Sequence, residues 1–383
     1  KTNDGILERV GRFEIVYEET SYEYYVIQKG NDSIVVNAGR QYADIDEKTI
    51  SFEVMSSAEF KVTSDADWIQ LESSEITDSI LLEDGKTFSD YKQWNVTLSV
   101  EPNSGDVRYA DVKVSAGEQE SIVKVAQMGN LVADYTKDFY RRSSVLEFTA
   151  TWCKYCYLMA GAIHDAMSSS PDRIVPMVMH GSDSEEALAY GKMEDHFYHY
   201  DLIGYPTSIF NGNAVLSLNS NYQTTVDALI GLSDEAVSIA PSRTSIGGRF
   251  YLDGNEAVAE LSIAAKESGT YRLSVFLLED GMVYPQKNAG DNYVHNNIVR
   301  EAFHSETFGD EIPLTSGSVK DIRLQIPIPS KIENRANMHI VAYITRDDSY
   351  IGKIAEAEYG DFGAVVDNIV NIPLDGFALF EYE

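Results

Sequence analysis

Phe148-Thr149-Ala150-Thr151-Trp152-Cys153-Lys154-Tyr155-Cys156 follows directly on a short apolar run, Val145–Thr149. It leads into Cys156–Met167, where apolar residues recur at helical spacing, so the cysteines stand where a strand gives way to a helix. That placement has chemical consequences. A thiol at a helix start has its thiolate stabilised by unpaired amides and the helix dipole. A second thiol three residues on lies one turn further, within disulfide reach. The first sulfur can attack a substrate disulfide and the second can resolve the mixed disulfide. Cys153 and Cys156 are the only cysteines, which excludes a multi-bridge framework and an all-cysteine zinc site. The pattern alone leaves other readings open. A bare structural disulfide is one. A copper or zinc site completed by His164, His180, His196 or His199 is another.

Working outward, residues 131–240 alternate strand and helix. Arg173–Met179 reads as a strand, and Ser182-Asp183-Ser184-Glu185 as a capping box opening a helix to about Tyr200. Pro206–Phe210 and Ala214–Leu218 flank the turn Asn211-Gly212, and Tyr222–Ile239 reads as a closing helix. Residues 31–130 carry period-2 strands, with Val112 and Val114, then Val123 and Val125, alternating with polar neighbours. Residues 241–383 are strand-like again (Ala257–Ala264, Tyr271–Leu278, Lys320–Ile326, His339–Thr345, Ile351–Glu356), interrupted by a long polar insertion, 280–308. Residues 1–30 stay unassigned. The expected fold class is multidomain α+β: an immunoglobulin-like β-sandwich over 31–130, a central α/β domain over 131–240, and a C-terminal β-sandwich over 241–383.

Composition narrows the function. Of 383 residues, 44% are hydrophobic and 24% charged, an ordinary globular balance. The 61 acids against 30 bases, spread along the whole chain, argue against nucleic acid as a partner. No apolar run reaches the ~18 residues of a membrane span. No glycine-rich phosphate loop and no serine-nucleophile elbow occur, so no cofactor is expected. The first residue is Lys1, which points to an upstream segment having been removed.

Further residues carry a resemblance to thioredoxins. Gly204-Tyr205-Pro206-Thr207 follows Cys153 at the distance of the thioredoxin cis-proline loop, and Glu147 stands on the strand before the cysteines. The resemblance implies that Cys153 is the nucleophile and Cys156 the resolving thiol. It makes Glu147 the buried proton acceptor and Pro206 the substrate-loop proline, with Trp152, Tyr205 and Thr207 as substrate contacts. Lys154-Tyr155 departs from the Gly-Pro of thioredoxins proper, so the redox direction stays open.

Two more resemblances cover the flanks. Ala66-Asp67-Trp68-Ile69, Tyr109-Ala110-Asp111-Val112-Lys113-Val114 and Val123-Lys124-Val125-Ala126-Gln127-Met128-Gly129 resemble a BACON domain. Such modules are proposed to bind carbohydrate or mucin. Trp94, Tyr91 and Tyr109 are then sugar-stacking candidates, and Trp68 a core residue. The Phe148–Cys156 run, together with Tyr293-Val294-His295-Asn296-Asn297-Ile298-Val299-Arg300, resembles the family named after a twenty-eight-kilodalton outer-membrane protein. Its members are typically lipid-anchored at the bacterial envelope. The resemblance implies an envelope lipoprotein, periplasmic or surface-exposed, that meets the membrane only through an upstream anchor. His295, Asn296 and Arg300 either form a binding surface or knit the insertion to its neighbours. Two functions compete: thiol–disulfide exchange on protein thiols and disulfides, or non-catalytic binding of glycan, mucin or an envelope protein. An open groove over Cys153 beside a cis Pro206 favours the first; occlusion favours the second.

Overall fold

The computed structural model describes residues 9–17, 20–28, 34–38, 41–46, 48–82, 87–117, 119–181, 186–239, 241–346 and 365–383. The expected capping box Ser182–Glu185 and strand Ile351–Glu356 lie outside them. The chain forms two compact units, Lys1–Asn130 and Leu131–Glu383.

In the first unit Arg9–Tyr17 and Thr20–Gln28 pair as an antiparallel hairpin. Two four-stranded sheets follow. One orders Val35–Asn37, Thr49–Ser56, Phe88–Val100 and Ile69–Leu81; the other Gln41–Ala43, Gln119–Gln127, Arg108–Ala116 and Lys61–Ser64. Strand side chains alternate faces, so Phe52 and Val54, Val96 and Leu98, Val112 and Val114, and Val123 and Val125 form one shared core. The closing Gln127 and Gly129 have specific work. The fully buried Gln127 amide donates to the carbonyls of Asp44 (3.0 Å) and Glu101 (3.1 Å), while its oxygen accepts from Arg108 Nε (2.8 Å). A Cβ on Gly129 would fall 2.4 Å from the Asp106 carbonyl carbon, so only glycine fits that close approach.

The second unit is built on one nine-stranded sheet. Its order is Ala214–Ser217, Thr207–Phe210, Ser143–Thr149, Ile174–His180, Ile298–Ala302, Gly269–Glu279, Met338–Arg346 and Val365–Pro373, with Asp310–Leu314 also paired to Gly269–Glu279. Ser143–Thr149 runs parallel to Ile174–His180 and antiparallel to Thr207–Phe210. Three α-helices occur among the described residues: α1 (Cys156–Ser169), α2 (Met193–His199) and α3 (Tyr222–Ile239). Helices α1 and α3 cover one face of the central strands through Val145, Met159, Ile163, Phe210, Val226 and Leu229. On the opposite face Leu146, Phe148, Met177 and Met179 pack with Met193 of α2 and with Phe276, Val299 and Val341. Further along, the sheet faces a four-stranded sheet of Ser318–Pro327, Glu256–Ala265, Thr244–Asp253 and Gly376–Ala378 across a second apolar core.

This corrects the expected fold class. No separate central thioredoxin-like α/β domain stands between two sandwiches. The structure is mostly β-sheet, and the strands of 143–217 share their sheet with those of 269–373. The join is explicit: Val178 pairs in parallel with Ile298, and its amide donates to the Asn297 carbonyl at 2.8 Å. One apolar core layer, from Phe148 and Met179 to Phe276 and Val341, therefore draws on both segments, which cannot be separated without exposing it. The 280–308 insertion is also not a plain loop. Met282–Gln286 and Gly290–His295 pair as a hairpin, and Ile298–Ala302 is the strand that makes the join.

Candidate functional site

Ser143–Thr149 is buried at every position, although its fifth residue, Glu147, is charged in water. Glu147 is 1% exposed, and Val145 and Thr149 share its face. Burial disfavours the carboxylate and pushes the group up to about 8. Its Oε1 has no hydrogen-bond partner among the described residues.

The strand ends at Thr149 and α1 begins at Cys156, so Cys153 lies in the intervening turn and Cys156 is the first residue of the helix. They form a disulfide with Cα atoms 5.6 Å apart. The Cys153 amide donates to the Ala150 carbonyl at 3.1 Å. No side chain caps α1, and the Leu158 amide in its first turn donates to the Tyr155 carbonyl at 3.0 Å. Cys153 is 5% and Cys156 1% exposed, so Cys153 is the more approachable sulfur. Trp152 and Tyr155 are half-exposed beside them. The Tyr205–Pro206 bond is cis, and Tyr205 packs against the disulfide with its ring 5.7 Å from Trp152. Thr207 is buried; its hydroxyl donates to the Gly204 carbonyl at 2.8 Å, and it pairs with Phe148. Cys153, Cys156, Glu147, Trp152, Tyr205, Pro206 and Thr207 thus come together.

Two further groups hold the turn, and the sequence reading did not single them out. The Glu186 carboxylate accepts from the Thr151 amide (2.7 Å) and hydroxyl (2.8 Å) and faces His180 Nδ1 at 3.1 Å. Burial alone would raise it, but the hydrogen bond and charge of His180 and the bonds from Thr151 outweigh that and hold it at about 2. From the hairpin, buried Gln286 donates to the carbonyls of Cys153 (2.9 Å) and Ala150 (3.3 Å). The Lys287 amide donates to Thr151 O at 2.8 Å, and Asn288 to Lys154 O at 3.1 Å. Gln286 lies 133 residues from Cys153, and no local pattern announces that meeting.

Two spaces adjoin the turn. In front, a groove of about 510 Å³ runs between Thr151, Trp152, Lys287, Asn288 and Asp291. The other is a cavity of about 380 Å³, where Glu147, Cys156, His180, Gln286, Tyr293 and His295 meet apolar walls that include Ile163 and Met167.

The remaining candidates divide. Asn296 lines the same cavity and accepts from the Gly281 amide at 2.9 Å. Arg300 is 2% exposed, 3.3 Å from Glu279, and donates to the Lys331 carbonyl. Trp94 is partly buried against the first unit's core, edge-on to Phe60 at 5.3 Å. Trp68 lies beneath the Arg108 guanidinium, 4.3 Å away; Tyr91 is buried and Tyr109 exposed. His164 and His180 line the cavity that holds Glu147, whereas His196 and His199 on α2 pack against Phe308. Among the described residues no group of three His, Cys, Asp or Glu side chains is arranged to hold a metal ion, and no helix is long and apolar enough to cross a membrane.

Residues 194–359 match the family described as outer membrane protein Omp28. That name points to the outer membrane of the bacterial envelope. No curated protein matches the chain. Among solved structures, HBP35 of Porphyromonas gingivalis is similar at 16% identity with a TM-score of 0.51, over 64% of this chain and 79% of that one. The likeness is one of fold. Protein AGR_C_4864 from Agrobacterium tumefaciens aligns at 14% identity with a TM-score of 0.40, over 61% of this chain and 95% of its own.

Proposed function

We propose that this chain is a bacterial envelope protein whose Cys153–Cys156 pair exchanges disulfides with protein thiols. The lipid tether implied by the sequence resemblance belongs to the same proposal. The observation that carries it is the buried carboxyl of Glu147 in the cavity that Cys156 also lines. A structural staple gains nothing from an unpartnered buried acid, which costs stability. A resolving thiol does gain, because an acceptor raised to about 8 is matched to an ordinary thiol near ~8.5. Cys153 would open the substrate disulfide at the groove, and Cys156 would resolve it.

Insulin reduction by dithiothreitol tests this. The parent chain is expected to accelerate it, and Cys153→Ser to abolish the acceleration. Equal rates, with a Cys153 thiol pKa near ~8.5, would sink the catalytic reading. A second reading has its own support. The bonds from Gln286, Lys287 and Asn288 would hold the turn equally well in an inert scaffold that binds envelope components. Equal insulin rates would favour that scaffold.

A further inference from the structure

We propose that His295, with Tyr293 and His180, forms the proton outlet of Glu147, carrying protons between the buried dithiol and solvent. The inference rests on the exchange reading and adds residues that reading does not use.

The chemistry creates the need. Cys153 thiolate attacks a substrate disulfide, forming a mixed disulfide and releasing the first substrate thiolate. Cys156 then gives its proton to the Glu147 carboxylate and attacks Cys153 Sγ. The bond from Cys153 to the substrate sulfur breaks, and the second substrate thiolate leaves. The substrate disulfide has gained two electrons and the cysteine pair has lost two. Each departing thiolate takes a proton from solvent, and Glu147 retains the proton of Cys156. At 1% exposure it cannot pass that proton to bulk water directly.

The cavity offers a way out. His180 Nε2 and His295 Nε2, like Glu147 Oε1, lack hydrogen-bond partners among the described residues, and both histidines are at least nine-tenths buried. His180 Nδ1 carries a hydrogen toward Glu186 at 3.1 Å, which leaves its Nε2 open to a further partner. His295 bonds the Tyr284 backbone, which leaves its Nε2 open as well. The two rings are 5.3 Å apart. Tyr293 bridges toward Glu147: its ring is 4.7 Å from His295, and its ionisation is opposed by burial and then by the Glu147 charge. Glu147, His180, Tyr293 and His295 all line one space of about 380 Å³, which has room for waters hydrogen-bonded to these groups.

The ionisable groups facing this path come from every side. They are Glu147 from its strand, His180 and Glu186 from the next strand and the loop after it, and Cys156, Tyr157 and His164 from α1. Tyr284, Tyr293 and His295 complete the set from the hairpin. Burial, and then the neighbouring His180, lower His295 to about 4. It therefore relays a proton without keeping it.

The test uses the full chain and a small aromatic disulfide, with release of the first and second thiolates resolved by stopped flow. His295→Phe preserves volume, and His295→Ala leaves room for imidazole. Both are expected to leave the first release unchanged and to slow the second by about tenfold or more near neutral pH. The pH profile of the second release should move with them, and added imidazole should restore it in His295→Ala. A second release with the parent's rate and pH profile in both variants would overturn the outlet alone. So would a slow second release that imidazole leaves unrelieved. A parent chain that releases neither thiolate would overturn the exchange reading, and the outlet with it.

Discussion

Glu147→Gln should make the protein more stable at neutral pH and flatten its pH dependence. Glu147 is raised from 4.5 to about 8 in the folded chain, because burial penalises its charge. The sign follows from proton counting. Below about pH 4.5 both folded and unfolded states hold the proton, and the group costs nothing. As pH rises from there to about 8, the unfolded chain gives the proton up more readily, so folding stability falls. The loss reaches about 3 kcal/mol by pH 7, at 1.36 kcal/mol for each pH unit. Urea unfolding of parent and variant at several pH values checks it. Other titrating groups cancel in the difference, which should grow by about 3 kcal/mol between about pH 4 and 7. Parallel curves would mean that Glu147 is ionised in the fold. The same substitution should slow resolution of the mixed disulfide, since Cys156 loses its proton acceptor.

Asp367→Ala should cost about 3–5 kcal/mol, as for a buried ion pair broken on one side. Asp367 and Arg141 are 3% and 4% exposed and lie 3.3 Å apart. The Asp367 carboxylate also accepts from the Thr244 amide (2.8 Å) and hydroxyl (2.6 Å), the Arg243 amide (3.1 Å) and the Ser242 hydroxyl (3.2 Å). It binds the approach to Ser143–Thr149, the start of Thr244–Asp253 and the last strand of the large sheet. Removing it strands the Arg141 charge, the Arg243 amide and both Thr244 donors, while the Ser242 hydroxyl keeps the Asp367 backbone carbonyl. The urea midpoint of the Leu131–Glu383 unit reads the effect, and a loss below about 1 kcal/mol would contradict it. The apolar double replacement Arg141→Met with Asp367→Leu should recover much of the loss.

Local elements were legible in the sequence because each has a local cause. The helix expected over Cys156–Met167 runs Cys156–Ser169, since Met159, Ala162, Ile163 and Ala166 recur on one face. The turn at Asn211-Gly212 joins Thr207–Phe210 to Ala214–Ser217, with both turn residues at positive φ. Sheet membership was not legible. Strand periodicity shows that Ile298–Ala302 can be a strand, not that Val178, 120 positions earlier, is its partner. The divided three-domain reading failed on that pairing. The candidate site divides in the same way. The cysteines, Glu147 and the Tyr205-Pro206 loop stood out through one recognisable spacing. Glu186 and Gln286 hold the same turn through contacts that no spacing encodes. The hairpin bearing Gln286 read as a polar loop because its exposed positions, Val283 and Val294 among them, blur the alternation.

The most direct measurement of the central claim is the reduction potential of the Cys153–Cys156 pair, taken by equilibrating the full chain with glutathione buffers. Exchange on protein substrates predicts reversible titration between about −270 and −120 mV, the span of disulfide oxidoreductases. A pair that stays oxidised throughout, with a potential below about −300 mV, would be a structural disulfide and would contradict the proposed function.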